Sequence, residues 1–199
     1  MTSRLIPALL LLTLAACASS PPTRFFALDP TSSAAPAAAP AAADAAKPVK
    51  IDAVHLPPAL DRNSMVRGES ENQLQISSQD RWAGDLGEMI RRVLTQDLAS
   101  RLPGGMVIAP DSPAPPSARG LVLDILTFQP QATGEVVLEA DWTLLEGTQS
   151  NPVLRRSVHL TAAAASSAQG EAAAMSALLG QLADGIATEI RGASQGAQR

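Results

Sequence analysis

From Glu135 to Leu145 the residues alternate, with Val136, Leu138, Ala140, Trp142 and Leu144 on one side and Glu135, Glu139 and Asp141 on the other. A period of two belongs to a strand with one wet face and one face in a core. Such a strand needs a second layer to cover its apolar side. In the next run Leu154, Val158 and Leu160 alternate with Arg155, Ser157 and His159, and Gly147 to Pro152 reads as the hairpin loop between them. With that loop centred near Gln149, antiparallel pairing sets Glu139 opposite His159 and Asp141 opposite Ser157. Such cross-strand pairs contribute a few tenths of a kcal/mol. Arg119 to Phe128 carries Leu121, Val122, Leu123, Ile125 and Leu126 on both faces and reads as a central strand.

Two segments supply the covering layer. Trp82, Leu86, Met89, Ile90, Val93, Leu94, Leu98 and Leu102 fall at three-and-four spacing, the stripe of a long helix. Ser77 or Ser78 is its expected cap, Asp80 suits its positive end, and Pro103-Gly104-Gly105 stops it. The stripe covers the protein's own sheet; a groove for a partner helix is the alternative. Met175, Leu178, Leu179, Leu182, Ile186 and Ile190 form a second stripe, entered through Ser166 and Gln169, which resemble a capping box.

Shorter strands are expected at Phe25 to Leu28, Val49 to Leu56, Ser64 to Arg67, Leu74 to Ser77 and Met106 to Ala109. Gly68 to Asn72 reads as a polar turn between two of them. The fold class is therefore α+β, an antiparallel-rich mixed sheet with two long helices on one face.

The amino-terminal end sets location. Arg4 gives a positive start, Leu5 to Leu14 an apolar run too short to span about 30 Å of hydrocarbon, and Ala15-Ala16 the small residues of a cleavage site. Residues 1–16 read as a signal peptide. Leu14-Ala15-Ala16-Cys17 resembles the bacterial lipoprotein box, which makes Cys17 the lipid-attachment residue, 17–24 a tether and 25–191 one domain of the size expected for a single core. Cys17 is the sole cysteine, so it has neither a disulfide partner nor a cysteine co-ligand. Several acyl chains on one residue anchor a protein without a membrane helix. Ala18 after the cysteine resembles the sorting signal for the outer membrane. Thr31 to Pro48 is nearly all Ala, Pro and Ser and reads as an exposed loop within the domain, and 192–199 as a polar tail.

Composition excludes several functions. The formal charge of −4 becomes −5 once Arg4 leaves, since no other charged residue precedes Cys17. Basic residues are scattered, which argues against nucleic acid and anionic headgroups as partners. Aromatics are 3% of residues and Tyr is absent, so stacking platforms are not expected. His55 and His159 lie in different strands with no ligand spacing, and no phosphate loop or nucleophile elbow occurs. A triad of Ser157, His159 and Asp141 fails on geometry, because Ser and His two residues apart on one strand leave no room for an oxyanion site. No cofactor and no enzymatic activity are expected.

One constellation stands out: Leu56-Pro57-Pro58-Ala59-Leu60-Asp61-Arg62, then Met65-Val66-Arg67, then Arg81-Trp82-Ala83 with Leu86, ending in Asp97-Leu98 and Arg101-Leu102-Pro103. With Phe25-Phe26 and Leu28 after the anchor, the chain resembles the PqiC-like family of ABC-type transport auxiliary lipoproteins. Phe25-Phe26 stands where a Tyr-Tyr pair is usual. The resemblance implies a periplasmic lipoprotein at the outer membrane, forming a homo-oligomeric ring and meeting an MCE-domain protein of an ATP-driven transporter that moves lipid between the two membranes. It nominates Leu56, Pro57, Leu60, Asp61, Arg62, Arg81 and Trp82 as candidate contacts with a partner or a second copy. Their simpler roles are a rigid turn at Pro57-Pro58, a local Asp61–Arg62 ion pair and a core anchor at Trp82. A structural lipoprotein of another outer-membrane assembly machinery is the alternative function.

Overall fold

The computed structural model describes residues 21–32, 47–70, 72–146 and 151–196. Cys17, the signal segment and most of the Ala/Pro-rich loop lie outside them. In chain order the elements are β1 (Arg24–Phe26), β2 (Val49–His55), β3 (Ser64–Ser70), β4 (Gln73–Trp82), α1 (Leu86–Arg101), β5 (Val107–Ile108), β6 (Arg119–Pro130), β7 (Glu135–Glu146), β8 (Asn151–Ala163) and α2 (Ala168–Gly196).

The strands form two sheets. The larger has the order β5-β2-β6-β7-β8, and the smaller β1-β4-β3. β6, β7 and β8 run antiparallel as their alternation requires, while β2 pairs with β5 and β6 in parallel. The expected hairpin register holds: Glu139 faces His159 and Asp141 faces Ser157. β6 is central, but its burial alternates. Leu121, Leu123 and Ile125 are buried, whereas Leu126 is 60% exposed at a bulge between Ile125 and Thr127.

Both helices lie against one face of the larger sheet, α1 over β2 and β5 and α2 over β6 to β8, and they pack on each other. The apolar stripes are the reason: Leu86, Ile90, Leu94 and Leu98 of α1 and Met175, Leu178, Leu182 and Ile186 of α2 are buried against Leu121, Leu123, Leu138 and Trp142. Among the described residues no helix is long and apolar enough to cross a membrane.

The start of α1 differs from expectation. Ser77 to Trp82 belongs to β4, and the cap is Asp85, whose carboxylate accepts the Glu88 N–H at 2.9 Å. Ser77 does cap a turn, since its Oγ accepts the Asp80 N–H at 2.9 Å, but that turn is a bulge of β4 against β3. A serine with an acidic residue three positions on thus served a strand irregularity, and Trp82 preserved helical spacing to Leu86 by coincidence. Similarly, Ser167 and not Ser166 caps α2, accepting the Gly170 N–H at 3.1 Å, and α2 continues to Gly196 past the expected start of a tail at Gly192.

Candidate functional site

The motif residues converge where β4 ends and α1 begins. After β2, Leu56-Pro57-Pro58 leads into a tight turn in which the N–H groups of Leu60 and Asp61 reach the Pro57 carbonyl at 2.9 and 3.2 Å. The two prolines lack N–H donors and hold this turn rigid. It delivers Asn63, whose carbonyl accepts the Trp82 N–H at 2.7 Å, and Ser64, which faces Arg81 across the ladder. Phe26 accepts the Ala83 N–H at 2.8 Å from the other side.

Within this corner the side chains divide. Leu60 and Trp82 are each 4% exposed and share a void of about 10 Å³ with Met65, Leu86, Phe128 and Met175. They anchor the core. Leu56 and Pro57 are half-buried, and Leu56 lies near Gly87 at the start of α1. Asp61, Arg62 and Arg81 are exposed and their side chains bond to no described residue, so the expected Asp61–Arg62 ion pair does not form. Phe25 faces Arg81 in the parallel β1–β4 register and is 66% exposed. Of the three apolar side chains Phe25, Phe26 and Leu28 only Leu28 is covered, with Phe26 halfway. Strand β1 is three residues long, and its Phe25 projects from the outer side of the small sheet.

A charge network fixes β1 in this place. Arg24 Nη2 lies 2.6 Å from Asp80 Oδ1, Arg67 Nη2 lies 3.4 Å from Asp80 Oδ2, and Arg67 Nε donates to both Glu171 oxygens at 2.7 and 2.9 Å. It joins β1, β3, β4 and α2. Burial raises the Asp80 pKa, but the bonds from Arg24, Ser77 and Arg67 outweigh it and hold the carboxyl below its ordinary value. The Glu171 hydrogen bond is the main reason that the Arg67 guanidinium is held more firmly protonated than usual.

The uncovered face of the large sheet carries a polar lattice. His55 Nδ1 lies 2.7 Å from Asp124 Oδ1, and His159 Nδ1 lies 3.0 Å from Glu139 Oε1. The Ser157 hydroxyl donates to Asp141 at 2.5 Å and Arg155 Nη2 donates to the same carboxylate at 3.0 Å. The Ser157 bond, followed by that of Arg155, lowers the Asp141 pKa. Ser157 therefore meets a carboxylate and not a histidine, and His159 is held by Glu139, so these groups form no nucleophile–base pair. Among the described residues no group of three or more His, Cys, Asp and Glu is arranged to hold a metal ion.

A buried cluster escaped the sequence reading. Thr31 bonds to Asp97 and Arg101 of α1, and Asp97 is fully buried. A polar residue in a helical stripe signals a buried partner only when that partner is known.

Comparison with known proteins agrees with this layout. No curated relative matches the sequence. A crystal structure of an uncharacterized protein is similar over 89% of this chain and 99% of its own, at 23% identity and a TM-score of 0.62. A Xanthomonas campestris protein of family DUF330 is similar over 88% of this chain and all of its own, at 16% identity and a TM-score of 0.69. At these identities the likeness is one of fold. The family model described as ABC-type transport auxiliary lipoprotein component matches residues 27–187, which span Leu56 to Trp82 of the motif corner, α1, the first two thirds of α2 and all the strands but β1. This chain belongs to the ABC-type transport auxiliary lipoprotein family.

Proposed function

We propose that the protein is a non-catalytic periplasmic lipoprotein subunit of an MCE-type ABC transport system that moves lipid between the inner and outer membranes. Cys17 holds it at the outer membrane, it assembles with copies of itself, and the corner of Asp61, Arg62, Arg81 and Phe25 meets a partner chain. The observation that carries this reading is the division within the motif. In a chain of this family, Leu60 and Trp82 are core, yet the charged side chains beside them are exposed and without a partner among the described residues. Unpaired charges on a rigid turn cost little to keep in water and are ready to pair across an interface.

The test is isolation of the full-length lipoprotein from membranes in mild detergent, with mass measurement and identification of bound chains. A multi-subunit particle carrying an MCE-domain protein is expected. A monomer that captures no MCE-domain protein overturns the proposal, and so does capture of a β-barrel insertion component in its place.

A further inference from the structure

The turn of the β3–β4 hairpin lies at the end of β4 toward which the amino-terminal end of β1 points. β1 pairs with β4 in parallel, Arg24 beside Asp80 and Phe26 beside Trp82. Moving from Arg24 toward the amino terminus is therefore moving along β4 toward the hairpin turn, where Asn72 has a φ of 62°. Pro21 and Pro22 are exposed and lie one residue before Arg24, and consecutive prolines extend a chain stiffly at about 3.1 Å per residue. The described residues 21–23 thus favour a tether that leaves in the heading that β1 gives it.

The outer half of the hairpin carries two apolar side chains that are not covered, Leu74 and Ile76. Val66 pairs with Ile76 and Gly68 with Leu74, so these four share a face. Val66 is buried and Gly68 lies against Gln129 and Gln131 of the body, but Leu74 is 44% and Ile76 50% exposed. The face begins in the core and runs out of it. From Asp80 to Asn72 and from Arg24 to Cys17 the chain covers similar numbers of residues, each run reaching roughly 25 Å at about 3.3 Å per residue. A lipid-bearing Cys17 on an extended tether therefore comes level with the hairpin turn.

We propose that Leu74 and Ile76 rest on the membrane surface beside the acylated cysteine, making the hairpin a strut that sets the tilt and height of the domain above the bilayer. The proposal rests on lipid attachment at Cys17.

The full-length acylated protein, reconstituted in phosphatidylcholine vesicles whose acyl chains are brominated near the headgroup, tests this by fluorescence. Trp82 and Trp142 are buried, so a tryptophan placed by Leu74→Trp or Ile76→Trp reports its own surroundings. Both positions are exposed and tolerate the larger ring. Val153→Trp is the control, since Val153 is exposed near the β8 residues that pair with Leu144 and Leu145, which sit beside Leu121 and Gly120. That is the end of β6 far from Gln129 and the hairpin. Blue-shifted emission and quenching at positions 74 and 76, with neither at 153, is the expected result. Intact mass confirms acylation at Cys17 separately. Acylated protein with no quenching at 74 or 76 overturns the strut and leaves the anchor standing, whereas protein without acyl chains overturns both. A blue shift without quenching that grows with protein density shows that a second copy covers the face, which also overturns the proposal.

Discussion

The backbone N–H of Thr31 donates to the Asp97 carboxylate at 2.6 Å, and Arg101 Nη1 returns a bond to the Thr31 carbonyl at 2.9 Å, so the last described residues before the Ala/Pro-rich segment are clamped to the second half of α1. Gly180 of α2 permits the approach, because a Cβ there would meet the Thr31 side chain. Arg101 Nε also reaches Asp184 of α2 at 2.6 Å. Three parts of the chain thus meet around Arg101 and the buried Asp97 carboxylate beside it.

That carboxylate is under tension between burial and bonding. Desolvation raises the Asp97 pKa more than Thr31 and Arg101 lower it, and Oδ2 has no partner. A folded-state pKa above the unfolded value means that ionised Asp97 costs stability. The cost is absent below the ordinary aspartate range and grows as pH rises through it toward the folded pKa. Relative to the Asp97→Asn variant, the wild type is expected to lose stability from about pH 4 upward, until the folded group has ionised. Asp80 works in the opposite sense, its depressed pKa giving stability that is lost as pH falls below the ordinary range. Urea titrations of both Asn variants across pH 3 to 8 read the two slopes; equal slopes refute the assignment. Asp97→Ala strands the Thr31 N–H and should cost about 1–3 kcal/mol at any pH.

Substitutions in the motif corner should separate anchor from contact. Leu60→Ala is expected to cost about 2–5 kcal/mol and Trp82→Ala about 3–5 kcal/mol, because both are buried beside a void too small to collapse further. Asp61→Ala, Arg62→Ala and Arg81→Ala should stay within about 0.5 kcal/mol of wild type in denaturant titration. The same three changes should weaken capture of the partner. Stable variants with undiminished capture would remove these charges from the interface.

The register of β7 against β8 was legible because a period of two on both sides of a short loop leaves one pairing that buries Leu138, Trp142 and Leu160 together. Both helical stripes were legible for the same reason. The separate small sheet was not. Its strands β3 and β4 are polar for much of their length, and β1 is held by Arg24–Asp80 and its backbone pairing with β4 more than by apolar burial. The parallel β2–β6 pairing also left no local trace, since the connection between them contains all of β3, β4 and α1. At the corner the motif residues come together at the end of β4 and the start of α1, but which of them face water depends on a turn that periodicity does not describe.

Lipid attachment has a direct test. Cys17→Ser should abolish incorporation of a labelled fatty acid and release the protein from the membrane fraction, because no other cysteine exists in the chain. Undiminished label in the variant would refute attachment at that residue. With Ala18 following the cysteine, the wild type should fractionate with outer-membrane vesicles, and recovery with inner-membrane vesicles would overturn that placement.

The segment from Arg24 to Thr31 decides whether the Ala/Pro-rich stretch is a leash or a loop. Strand β1 pairs with β4, Leu28 is buried, the Asp29 N–H reaches Ser176 Oγ at 3.0 Å, and Thr31 is bound to Asp97 and Arg101. These contacts involve β4, α1 and α2, and a fully buried leucine alone contributes about 1.5–3 kcal/mol. The free tether then ends near Arg24, and the domain is held within roughly 25 Å of the anchor by residues 17–24. If the segment were instead part of a leash reaching Pro48, the extended limit would be about 100 Å. Protease should nick the chain within 33–46 and leave the fragment that contains Arg24 to Thr31 bound to the remainder under native conditions. Gly180→Ala, which forces Thr31 away, should speed loss of that fragment after nicking while leaving the helices folded. Release of an intact, folded fragment beginning near Val49 from wild-type protein would show that the first strand is not part of the domain.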